Sequence, residues 1–97
     1  MKIFYVMFEG KPKAGNPESF EIEGGFIDVW VKTDSPEDAV QKAKEYVDQE
    51  DWEVVSIEES SEVTREGYLD DPDALECFDE AYEKGISALF FIWNPED

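Results

Sequence analysis

Twenty-six Asp and Glu residues against eight Lys and Arg are the main chemical resource of this 97-residue chain, and no histidine accompanies them. Carboxylates can work in pairs as general acid and base, hold hard cations through several oxygens, or attract cationic surfaces. In so acidic a chain adjacency alone does not indicate paired-acid catalysis, and glycosidase-type chemistry needs a sugar cleft that a domain this small rarely holds. Without His the usual general base and the commonest transition-metal ligand are missing. No Gly-rich phosphate loop, nucleophile elbow, metal-spaced cysteine set or dinucleotide fingerprint occurs. Asp70-Asp71-Pro72-Asp73 is dense enough to attract a cation, but Pro72 breaks the spaced loop of an EF-hand, whose glycine and terminal bidentate Glu are absent. The one cysteine, Cys77, excludes an internal disulfide and falls at the edge of an apolar stripe among acids, which marks a half-buried structural thiol. The expectation is a non-enzymatic protein with no cofactor and no metal site.

The charge is unevenly spread. Residues 1–48 carry ten acids and six bases, whereas residues 49–97 carry sixteen acids and two bases, and the total is −18. Such a field keeps the molecule soluble, opposes nucleic acid and anionic lipid, and favours a basic protein as partner. Solubility or adaptation to salt is the plainer reading, which the asymmetry fits less well. Apolar residues make up 41% and aromatics 14%, enough to fill one core, so residues 1–97 are expected to form a single domain. The opening apolar run Ile3–Phe8 is too short for a secretory signal, and no window approaches a membrane span. A cytoplasmic location is expected.

The elements that must position these charges are legible in outline. Residues 3–8 are apolar at every position, as in a central strand, and the breaker-rich segment Gly10 to Pro17 reads as a mobile hairpin loop. From Phe20 to Thr33 apolar and polar residues alternate, with Phe20, Ile22, Ile27, Val29 and Val31 inward and Phe26, Asp28, Trp30 and Lys32 on the other face. Gly24-Gly25 marks a bulge, a bend or a tight hairpin. Ser35-Pro36-Glu37-Asp38 opens a helix of ordinary mixed charge, and a third strand runs from Trp52 to Ile57, with Val63-Thr64 as an extension. A second helix is capped by Asp71 and Pro72 and stopped by Gly85, with Ala74, Leu75, Phe78, Ala81 and Tyr82 inward. Ile86 to Trp93 reads as a last, interior strand ended by Asn94-Pro95.

The order β-β-α-β-α-β predicts an α+β fold: a four-stranded mixed sheet with both helices on one face, a two-layer sandwich related to the ferredoxin-like arrangement. Each helix would then serve a right-handed β-α-β crossover. In size, acidity and lack of catalytic parts the chain resembles the small acidic bacterial proteins that neutralise basic nuclease toxins or mimic nucleic acid. That resemblance is one of composition and implies a basic partner. The candidate binding face comprises Glu59, Glu62, Glu66, Glu76, Asp79, Glu80 and Glu83, with Tyr68, Trp93, Phe26 and Trp30 as aromatic contacts. The alternative is a structural module that forms a homodimer through Phe26, Trp30 and Trp93, its acidity serving solubility.

Overall fold

The computed structural model describes residues 1–93. Four strands, β1 (Lys2–Pro12), β2 (Gly24–Thr33), β3 (Trp52–Val63) and β4 (Ile86–Trp93), form one sheet in the order β3-β1-β2-β4. Two helices, α1 (Pro36–Gln49) and α2 (Pro72–Lys84), and two short 3-10 turns at Pro17–Phe20 and Arg65–Tyr68 are the other elements of the described residues. The α+β class and the order β-β-α-β-α-β are therefore as expected. The Asn94-Pro95 stop lies outside the described residues.

Two details of the arrangement differ from the expectation. All three strand pairings are antiparallel, so the sheet is not mixed. The helices also lie on opposite faces, which gives three layers rather than two. Phe4, Val6 and Phe8 of β1 and Ile27, Val29 and Val31 of β2 pack with Ala39, Ala43 and Val47 of α1. Residues of the other parity, Ile3 and Trp30, pack with Ala74, Cys77, Phe78 and Ala81 of α2. The physical reason is already in β1: a strand apolar at every position needs cover on both faces, and helices on one face supply only half of it. The β2-α1-β3 connection passes across β1 and joins two strands of the same direction, as a crossover should. β3 and β4 run in opposite directions, so the handedness rule does not hold α2 to the same side.

Local signals hold at most element ends. Ser35 accepts a hydrogen bond from the Asp38 amide at 3.0 Å, Asp71 one from the Ala74 amide at 3.2 Å, and Gly85 takes the left-handed stop at φ 102°. Such side-chain caps contribute about 1 kcal/mol each. The buried stripe of α2 is rotated from the expected one, because Cys77 is fully inside while Tyr82 stays 58% exposed over the Lys32 ammonium, 4.2 Å from its ring centroid. β2 begins only at Gly24, and Phe20 ends an exposed 3-10 turn instead of lying in a strand. Gly24 and Gly25 make neither bulge nor hairpin; they allow backbone to approach backbone. A Cβ on Gly25 would meet the Phe91 carbonyl oxygen at 2.6 Å.

The loop after β1 is pinned where mobility was expected. Buried Asn16 accepts from the Glu18 amide at 2.9 Å and donates to the Asp51 carbonyl at 3.1 Å, and the Lys13 amide bonds that same carbonyl at 2.9 Å. This fastens the 3-10 turn at Pro17–Phe20 to the junction of α1 and β3.

Candidate acidic and strand-edge site

The acids predicted to form one face do not share one. Glu59 is opposite Met7 in the register and projects to the α2 side of the sheet, whereas Glu62 is opposite Phe4 and projects to the α1 side. Glu66 sits on the turn between β3 and α2. Only Glu76, Asp79, Glu80 and Glu83 are brought together, around a shallow groove of about 520 Å3 on the outer side of α2 that also includes Leu75 and Lys84.

Even there the charges are unequal. The Arg65 guanidinium donates to both Asp79 carboxylate oxygens, at 2.9 and 3.2 Å, and holds that carboxyl below its usual range. The pair ties the preceding turn to α2 and belongs to the fold. Glu80 approaches Lys84 at 3.9 Å, and Glu62 approaches Lys2 at 3.6 Å. These exposed pairs each contribute little, and they leave the net field of the region negative.

Of the aromatic candidates, two are interior groups. Trp30 is 1% exposed, and its indole N–H donates to the half-buried Tyr68 hydroxyl at 3.1 Å. Phe26 and Trp93 remain at the surface of the α2 side, ring centroids 5.2 Å apart in an edge-to-face contact. Beside them Asp28 is half-buried and accepts a hydrogen bond from Tyr5 at 2.9 Å. Burial pushes its carboxyl above the usual range, and Glu59 adds to the effect. Burial also raises the Cys77 thiol, reinforced by Glu80, Glu76 and Asp73, so this sulfur is poorly suited to nucleophilic chemistry. Asp71 serves as the α2 cap, and among the described residues no three or more potential ligands gather into a metal-holding group.

Sequence reasoning missed a second locus, at the free edge of the sheet. Among the described residues β4 has a neighbouring strand on one side only, β2. Its eight residues, Ile-Ser-Ala-Leu-Phe-Phe-Ile-Trp, contain no charge and no proline, and their register with β2 is unbroken. Phe91 and Ile92 are 53% and 52% exposed. Against β4 on the α1 side lies a groove of about 260 Å3 lined by Glu18, Glu50, Trp52, Phe90 and Ile92. Trp52 reaches across the sheet to meet the Phe90 ring edge-to-face, centroids 5.2 Å apart. The neighbouring Gly10 allows close approach of the Glu53 carbonyl oxygen and Ile27 Cδ1, each of which a Cβ would meet at 2.9 Å. The signal in the sequence was the absence of charge in residues 86–93, which also fits an interior strand.

No family model matches the chain, and no curated protein and no solved structure matches it either. Among the described residues no helix is long and apolar enough to cross a membrane.

Proposed function

We propose that this chain is a small acidic, non-enzymatic binding module whose partner is a basic protein. The observation that carries the reading is the α2 groove, where Glu76, Asp79, Glu80 and Glu83 converge beside the partly buried Leu75. Like charges three and four residues apart on a helix cost a few tenths of a kcal/mol per pair. Arg65 and Lys84 offset Asp79 and Glu80 in part, and the repulsion that remains is unfavourable to α2 itself, which supports a role for the row outside the helix. Meanwhile Lys2, Lys11, Lys13, Lys42, Arg65 and Lys84 are each engaged with a local carboxylate, so these cations are already used within the chain. The field left over favours rapid, salt-sensitive capture of a cationic surface. A cytoplasmic setting belongs to the same reading.

The test is retention of proteins from the source organism's lysate on immobilised wild type and on Glu76→Lys/Glu80→Lys/Glu83→Lys, in low and near-physiological salt. One basic protein held by wild type at the higher salt and lost by the variant supports the reading. Equal retention by both, or only a salt-labile mixture on wild type, sinks it and returns the acidity to a solubility role.

The homodimer reading through Phe26, Trp30 and Trp93 keeps only the surface Phe26–Trp93 pair, because Trp30 is buried, with the uncharged edge of β4 beside it. Two copies that each carry −18 would have to meet there, which works against it.

A further inference from the structure

We infer that the free edge of β4 is a docking site for an extended, cationic segment of the partner, which adds to the sheet as a fifth strand. The inference rests on the basic-partner reading and goes beyond it, because it assigns docking to an element remote from the acidic row of α2. Long-range attraction by that row and close-range pairing at β4 are separable steps.

Three observations converge on the edge. First, β4 is the outer strand, and every second residue of an outer strand turns its N–H and C=O away from the sheet, leaving them open to another chain. Second, β4 lacks the devices that discourage such pairing: it has no charge, no proline and no bulge along Ile86–Trp93. Third, the adjacent groove selects for charge. Its floor is the Trp52–Phe90 pair, its wall is Ile92, and Glu18 and Glu50 stand at its rim. An aliphatic stem crossing aromatic rings with its ammonium or guanidinium between carboxylates suits Lys or Arg. Side chains on an added strand alternate, so one set enters this groove and the other meets exposed Phe91 on the opposite face.

The rim is held in place. Glu18 follows Asn16, which binds the Glu18 amide and the Asp51 carbonyl, and Glu50 accepts a hydrogen bond from the Tyr46 hydroxyl at 3.2 Å. A second copy of the chain is the less suitable occupant, because β4 carries no Lys or Arg to offer the groove and the two copies repel.

The test uses the full chain, isotopically labelled, and the peptide acetyl-Lys-Val-Lys-Val-Lys-Val-amide at about 150 mM salt, where exposed charges more than about 8 Å apart are largely screened. Two analogues are N-methylated at every second residue, one in each phase. The proposal expects amide shifts centred on residues 86–93. It also expects binding weakened roughly tenfold or more by methylation in one phase only, since only one set of N–H groups faces β4. Ile92→Lys, at an exposed position, should abolish binding while the protein keeps its melting profile. Glu18→Gln/Glu50→Gln should weaken binding several-fold. Equal affinity for both methylated phases, or shifts along Glu76 to Glu83 in place of β4, would overturn strand addition and leave the basic-partner reading intact. No binding of any peptide overturns strand addition as well, and the capture experiment then judges the broader reading separately. Concentration-dependent shifts of β4 without peptide would make a second copy the occupant and also overturn the inference.

Discussion

The two edges of this sheet are built in opposite ways. β3 carries Glu53, Glu58, Glu59 and Glu62 along twelve residues, and its register with β1 breaks between Met7 and Phe8 and again between Glu9 and Gly10. Charge and irregularity both discourage another strand from pairing with it. β4 is uncharged and regular. A protein this acidic has ample carboxylates for both edges, yet of the two edge strands only β3 carries any. β3 is protected, whereas β4 is left able to pair.

The largest expected effect tests what supports the open edge. α2 packs over Ser87 and Leu89, the Ser87 hydroxyl donates to the Cys77 carbonyl, and Phe78 fills that cluster at 8% exposure. Phe78→Ala should destabilise the protein by about 3–5 kcal/mol in urea unfolding. A loss under about 1 kcal/mol would mean that α2 does not hold this side of the sheet. Making the guarded edge resemble the open one is the next step. Glu58→Val/Glu59→Val/Glu62→Val should give an association that grows with concentration in sedimentation. If the triple variant stays monomeric, the two register breaks protect β3 without help from charge.

Much of this was legible in the residues, and the errors share a cause. Ser35-Pro36, Asp71-Pro72 and Gly85 act through contacts within a few positions, so the helix ends followed directly from local chemistry. The acid run Glu58 to Glu62 suggested an end to β3, yet the strand continues to Val63, because an edge strand tolerates charge that an interior one does not. Apolarity placed β4 in the interior for the same reason in reverse. The assignment of both helices to one face failed although Ile3–Phe8 already required two covers. Of the candidate site, the α2 row followed from helical spacing. Glu59 and Glu62 are separated by simple alternation along the part of β3 that runs past Ile57, where the pairing with β1 is regular, and Trp30 and Tyr68 are drawn inside by the side of the sheet on which α2 settles. The groove of Glu18, Glu50, Trp52, Phe90 and Ile92 draws on four separate parts of the chain and has no local signature.

Smaller effects refine the comparison. Asp28 lies opposite Leu89 of β4, and burial raises its carboxyl in the folded state. A raised folded value means that the native protein takes up this proton before the unfolded chain does as pH falls. This group's stability contribution therefore declines as pH rises from the ordinary carboxylate value through the raised one. Asp28→Asn should flatten that part of the stability profile and raise Tm slightly at neutral pH; an unchanged profile would show that Asp28 ionises without penalty beside β4. The smallest change in stability is expected from Ile92→Lys, within about 0.5 kcal/mol of wild type, because the side chain is exposed and the edge is free. A larger loss would reveal that Ile92 is structural and that the edge is not open there.

Hydrogen exchange of the labelled protein, with and without the Lys–Val peptide, tests the contrast between the edges most directly. Slowed exchange is expected at alternate amides of residues 86–93, those facing away from β2, with no change at residues 52–63. Equal slowing at both edges, or slowing at β3 alone, would contradict it.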